Sequence, residues 1–222
     1  MNQKFGVIGL GRFGRSIARK LAAKGAEVMG MDVLQEKVDS VHNDITLAVR
    51  LDSTDKRALE SQNVNDLDVV VIAIGASFDA MLLTVFLLQE LGVKRIIARA
   101  QDETQKVILE KMGVTEILNP EEEVGNNMAE LLLNPGALMC MQLPDDFEIM
   151  EVTAPRKVLG RSLSDIGLRE KYNLNLVTLL RKTDDAHHIM GIPDARTLVE
   201  KDDLIVLFGK NSDIDRFIDI NQ

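Results

Sequence analysis

The segment Gly9-Leu10-Gly11-Arg12-Phe13-Gly14 constrains this chain more than any other. It closes the apolar run 5–8 and opens a helical stretch over residues 12–24. Glycines at this spacing between a strand and a helix predict a turn that cradles phosphate. The first allows the tight turn, the second admits a pyrophosphate to the backbone, and the third lets helix and strand pack closely. The helix start adds unpaired N–H groups and a partial positive charge. Asp32 closes the next apolar run, 27–31, where an acid can accept from both ribose hydroxyls and would repel a 2′-phosphate. The plain alternatives are a βα turn that binds nothing and an aspartate that merely starts a loop.

The first 120 residues repeat that strand-then-helix rhythm. Strands are expected at 5–9, 27–31, 46–50, 68–74, 95–98 and 116–119. Helices are expected at 12–24, 35–40, near Thr54, at 78–91 and at 104–112. Ser53 or Thr54 is the expected cap of the third helix. The continuous β-branched run at 68–74 suits a strand covered on both faces. Strands alternating with crossover helices predict a doubly wound parallel sheet, an α/β Rossmann-like domain over residues 1–119. A crossover helix and hinge follow at 120–136. Pro120 suits its first position, and Val124, Met128, Leu131 and Leu132 recur at helical spacing. The sheet is complete without this helix, which predicts that it packs on another subunit or leads to a second domain. Asn134-Pro135-Gly136 should end it. Residues 137–222 read as a small α+β lobe, with strands at 147–153, 175–180, 188–192 and 204–209. Its helices are a short one plus a turn at 162–172 and a last one at 212–220.

Composition excludes several classes. The 222 residues carry 26 basic and 35 acidic side chains, a formal net charge of −9, and neither half is basic. That disfavours nucleic acid and anionic membrane surfaces as partners. The single cysteine, Cys140, allows no internal disulfide and fits a reducing compartment. No signal segment is expected ahead of the first strand, and no apolar stretch approaches the roughly 18 residues of a membrane span. A soluble protein is expected, which leaves docking on a membrane protein open.

Four segments carry a family resemblance: the opening GVIGLGRFGRSIARKLAAKGAEVMGMD, VVVIAIG at 69–75, IIARAQDETQKVILEKMGV at 96–114 and ILNPEEEVG at 117–125. They resemble RCK domains, which regulate potassium conductance. Over essentially the whole chain, the sequence is similar to the soluble regulatory subunits of Ktr/Trk-type potassium uptake systems, Ktr most closely. The stretch GRSLSDIGLREKYNLNLVTLLR resembles that family's C-terminal regulatory lobe. The resemblance implies a cytoplasmic homo-oligomer, a dimer-based ring often of eight. It would dock on an integral membrane potassium-translocating subunit at the inner face of the membrane. It implies ATP or ADP in the first domain, with NAD(H) as the Trk-type alternative. A divalent cation such as magnesium or calcium and cyclic di-AMP in the second lobe complete the implied ligands.

The residues that would do this have specific chemistry. Gly9, Gly11, Arg12, Phe13 and Gly14 form the turn, and Asp32 would hold ribose. A guanidinium at Arg12 can clamp phosphate, although a solvated arginine is the bland reading. The helix dipole disfavours a cation there, which weakens the bland reading. Asp52 and Ser53 follow the third strand, where adenine binds in such sheets; their alternative is helix capping. Ala73, Ile74 and Gly75 end the fourth strand and Arg99 the fifth, all at the ligand-binding edge. The resemblance makes Glu121 a cation ligand, against a plain first-turn glutamate. It also assigns Ile166, Leu168, Arg169, Asn175 and Pro193 to cyclic di-AMP, against an ordinary subunit interface.

An enzyme reading has little support. A small NAD-dependent oxidoreductase needs a proton donor beside the nicotinamide, but His42, Tyr172, His187 and His188 form no recognisable acid–base pair. No Walker lysine follows the glycine turn. His187 and His188 are adjacent on an expected strand and so face apart, which disfavours a shared metal. Cys140 has no evident activating base.

Overall fold

The computed structural model describes residues 3–133 and 136–222. They divide into two units, 1–121 and 122–222.

The first unit is a parallel sheet of β1 (Lys4–Ile8), β2 (Glu27–Asp32), β3 (Leu47–Arg50), β4 (Val69–Ile72), β5 (Ile96–Arg99) and β6 (Glu116–Leu118). The order β3-β2-β1-β4-β5-β6 reverses direction at β1, which creates a crevice beyond the carboxyl ends of β1 and β4. Helices α1 (Arg12–Ala23), α2 (Gln35–Asp39), α3 (Lys56–Ser61), α4 (Phe78–Glu90) and α5 (Glu103–Lys111) connect the strands.

Side-chain alternation along the strands builds a core on each face. Val7, Val28 and Ala18 belong to one cluster with Leu10, Val38 and Val41. Ile8, Met31, Val70 and Ile72 belong to another with Met81, Val85 and Leu88 of α4. All four residues of β4 are buried, as its β-branched run predicts.

Two boundaries differ from expectation. The third helix begins at Lys56, and its cap is Asp55, whose carboxylate accepts from Arg57 N, rather than Ser53 or Thr54. Ser53 is turned inward to Thr84 and Thr54 bonds Asp52, so neither side chain is available as a cap. β4 stops at Ile72, two residues before its apolar run ends, because residues 73–75 turn away along the crevice.

Helix α6 (Pro120–Leu133) crosses the division between the units. Val124, Met128 and Leu132 on it are exposed, and Leu131 packs on the second unit's core. Of the residues expected to end it, Asn134 and Pro135 lie outside the described residues.

The second unit is an antiparallel sheet, ordered β10-β9-β11-β8-β7. Its strands are β7 (Ala137–Gln142), β8 (Phe147–Thr153), β9 (Asn175–Thr183), β10 (Ala186–Ile189) and β11 (Leu204–Lys210). Strand β7 was not expected, and β10 lies earlier than the 188–192 run suggested. Short helices α7 (Leu163–Ile166) and α8 (Leu168–Tyr172) precede β9, and α9 (Asn211–Asn221) closes the chain over a core that includes Met150, Leu207 and Phe217. Among the described residues, no helix is long and apolar enough to cross a membrane.

Candidate functional site

A cavity of about 660 Å³ lies in the crevice of the first unit. Its floor is the glycine turn. Gly9 has φ of +92°, and a Cβ there would stand 2.9 Å from the Ala73 carbonyl carbon. A Cβ at Gly14 would stand 1.9 Å from Gly9 O. Both glycines are therefore demanded by the fold itself. Gly11 differs: a Cβ there would meet nothing within 4 Å. The protein's own packing gives no reason for glycine at that position. An approaching ligand would, because Gly11 borders the cavity and caps α1 without a side-chain hydrogen bond. The first turn of α1 holds no acid, so its partial positive charge is uncompensated by one.

Asp32 is buried, 6% exposed, at the end of β2. Its Oδ2 accepts from Leu10 N at 2.8 Å and its Oδ1 from Leu34 N at 2.9 Å. The Lys37 ammonium stands 3.5 Å from Oδ2. One carboxylate thus ties the glycine turn to the turn after β2, a structural role that the sequence did not announce. A carboxylate has about four lone-pair directions, so two donors leave capacity for hydroxyls.

Asp52 and Ser53 border the same cavity beyond β3. The Thr54 hydroxyl, at 2.6 Å, and backbone N–H, at 2.9 Å, both donate to Asp52 and hold its carboxyl below the usual carboxylate range. The Ser53 hydroxyl is 2.8 Å from that of fully buried Thr84 on α4.

Ala73, Ile74 and Gly75 form the wall after β4. At the opposite rim stand Arg12, Phe13 and Arg99. The Arg99 guanidinium carbon lies 5.6 Å from the centre of the Phe13 ring, within cation–π range. Its Nη1 lies over Gly75, where a Cβ would be 2.9 Å away. Its Nη2 pairs with Glu121 in the first turn of α6. Of the first unit's expected site residues, only Gly14 lies behind the lining, where it supports the turn. Lys37, Ser77 and Ala80 also line the cavity and were missed. Lys37 was legible in principle, one helical turn beyond an acid that ends a strand.

The second unit's candidates are less convergent. Ile166 and Leu168 are buried in its core, so they present mainly backbone to any ligand. Arg169 donates through Nε (3.0 Å) and Nη2 (2.5 Å) to Asn175 Oδ1. Pro193 is half-buried in the loop after β10. His187 bonds Asp202 O at 3.0 Å. Buried Cys140 donates to Glu148 at 3.2 Å. Among the described residues, no cluster of three or more His, Cys, Asp or Glu side chains could hold a metal.

Comparison with known proteins fits this architecture. Residues 5–120 match the TrkA-N domain and residues 147–222 the TrkA-C domain. Ktr system potassium uptake protein C of Bacillus subtilis is 33% identical over 98% of this chain and 96% of its own. Ktr system potassium uptake protein A of the same organism is 34% identical over 97% and 96%. Among solved structures, the GsuK channel bound to NAD superposes with a TM-score of 0.65 at 15% identity, over 100% of this chain and 39% of that one. The GsuK RCK domain superposes with a TM-score of 0.54 at 19% identity, over 98% of this chain and 47% of that one. These last two likenesses concern the fold. By both domain matches and by full-length relatives above 30% identity, the chain belongs to the TrkA-N/TrkA-C family that includes the Ktr potassium uptake proteins.

Proposed function

We propose that this protein is a cytoplasmic, non-enzymatic regulatory subunit of a potassium uptake system, and that its first unit senses adenine nucleotides, ATP against ADP. The observation that carries the reading is the cavity at the sheet's reversal point. It gathers an unhindered glycine turn, a buried ribose-type acid and two arginines. Among the described residues, no histidine or tyrosine lines it, and its one lysine is paired with Asp32. Such a site has binding chemistry without an evident proton-transfer pair.

In this reading Asp32 receives the ribose hydroxyls and Asp52 with Ser53 borders the adenine. Gly9 and Gly11 admit the phosphates to the backbone, Gly14 supports the turn, and Phe13 holds Arg99 at the rim. Arg12 serves the terminal phosphate. Glu121, with the phosphates, would offer oxygen ligands to a divalent cation. ATP and ADP would differ in what they offer Arg12 and Glu121, and that difference alone can bias a conformational equilibrium. Moving such an equilibrium from 1:99 to 99:1 takes about 5.5 kcal/mol of differential binding, so several subunits acting together are required. The exposed apolar residues Val124, Met128 and Leu132 of α6 support an obligate homo-oligomer. Its ring would dock on a membrane-embedded translocating subunit.

A dinucleotide, NAD(H), is the second reading, favoured by the Gly-x-Gly-x-x-Gly turn with its acid and by the cavity's volume. Cyclic di-AMP at Arg169 and Asn175 is a subsidiary proposal. It requires that Arg169 exchange its amide partner for a phosphate.

Chromatographic identification of the nucleotide that copurifies, followed by calorimetry with ATP, ADP and NADH, tests the assignment. ATP or ADP supports the first reading and NADH the second; no binding of any of them refutes both. Calorimetry with cyclic di-AMP should show saturable heat that Arg169→Ala abolishes.

A further inference from the structure

We propose that the Arg99–Glu121 ion pair competes with the ligand's phosphates: it is a latch that phosphate must open, and opening it creates the divalent-cation site. The inference rests on the nucleotide reading above and deepens it.

The two partners are held unequally. The Arg99 side chain is 16% exposed, fixed against the Phe13 ring and over Gly75. Its Nε is buried and has no acceptor among the described residues. The Glu121 side chain is 60% exposed and carries its carboxylate at the open rim. The cation is therefore caged, whereas the carboxylate has water as an alternative partner. An exchange at this pair moves Glu121, not Arg99. Phosphate oxygens entering beside the glycine turn would take over the guanidinium, and could also satisfy its orphan Nε donor.

Charge bookkeeping then links two ligands. In the closed pair, Arg99 and Glu121 cancel and offer an incoming phosphate little net attraction. Once phosphate holds Arg99, Glu121 is a free carboxylate beside further phosphate oxygens. That arrangement of hard anionic oxygens is unfavourable alone and suits a divalent cation. Arg99 as phosphate ligand and Glu121 as cation ligand are thus not independent roles. Neither is available while they hold each other, and both become available in one step. The step occurs at the first turn of α6, the helix that runs on out of the nucleotide unit.

A double-mutant cycle separates this latch from simple repulsion between Glu121 and phosphate. ADP and adenosine binding are measured by calorimetry in EDTA for wild type, Glu121→Gln, Arg99→Met and the double variant. Glu121→Gln should bind ADP about threefold more tightly than wild type, the scale of a partly exposed ion pair, with adenosine unchanged. In the Arg99→Met background, the same change should give clearly less than that gain. With magnesium present, Glu121→Gln should instead weaken ADP. A gain of equal size in both backgrounds, or no gain while ADP still binds, overturns the latch and leaves the nucleotide reading intact. Failure of wild type to bind either ADP or adenosine overturns both.

Discussion

The two ends of the cavity are built on different principles. At the proposed ribose end, Asp32 is buried and already accepts two backbone N–H groups, one of them from the glycine turn, whose Gly9 and Gly14 are locked by backbone contacts. At the proposed phosphate end, exposed Arg12 and the Arg99–Glu121 pair are side chains with water as a competitor. The first end is part of the fold, so it cannot rearrange without unfolding the turn. The second can exchange partners at small cost. The proposed sensing of adenine nucleotides, which would hold adenosine always and distinguish phosphates sometimes, needs that asymmetry.

The strongest way to break the comparison is Gly14→Ala. Its Cβ would fall 1.9 Å from a backbone oxygen, which no rotamer can relieve. The expected cost is about 3 kcal/mol, the upper end for overpacking, read as a shifted urea midpoint. Adenosine and ADP binding should fall together. An unaltered midpoint would mean that the turn is far more pliant than its geometry.

Asp32→Asn comes next. An amide can accept from Leu10 N or from Leu34 N, and its own NH₂ would then face the other donor. The variant should lose about 2 kcal/mol of stability, the scale of a buried charged hydrogen bond. Adenosine and ADP should weaken by a common factor. If stability held and only binding fell, Asp32 would be a ligand group rather than a structural clamp with spare capacity.

This double duty explains what the sequence could convey. The strand–helix rhythm and β-branched β4 follow from local periodicity, so the parallel sheet was readable, as was the position of each glycine. That Gly11 faces open space while Gly14 faces backbone was not readable, because it depends on where Ala73 and Gly9 O lie in space. Asp55, not Ser53 or Thr54, caps α3, because Ser53 finds Thr84 from a helix thirty-one residues away. Arg99 and Glu121 were each visible as a candidate ligand. Their mutual pairing, which changes what both can do, appeared only when β5 and α6 were folded together. Strand β7 escaped because Ala137 and Cys140 are buried while Leu138, Met139 and Met141 are exposed, which gives no period of two.

At the phosphate end, Arg12→Ala should leave the urea midpoint unchanged within about 0.5 kcal/mol, as for other exposed substitutions. ATP affinity should fall about tenfold, the scale of one charge-assisted hydrogen bond, while adenosine binding is unaffected. Equal losses for ATP and adenosine would show that Arg12 shapes the turn instead of reading the phosphates.

The smallest expected effect lies at the proposed adenine edge and sharpens the contrast from a third side. The Thr54 hydroxyl is the main cause of Asp52's lowered pKa, the Thr54 N–H the next, and partial burial opposes both. A carboxyl whose folded pKa is depressed contributes stability above its unfolded value, near 3.8, and loses it as pH falls through the folded pKa. Thr54→Val should therefore raise the Asp52 pKa toward 3.8, seen by NMR titration of its carboxyl carbon. The variant should be slightly less stable than wild type at pH 6. That difference should fade below pH 3.8, where both carboxyls become protonated. Asp52 is exposed, so the surrounding water screens the effect and keeps it small. A difference that persisted undiminished into acid would assign it to the Thr54 methyl and backbone turn, and would place the adenine edge with the rigid ribose end.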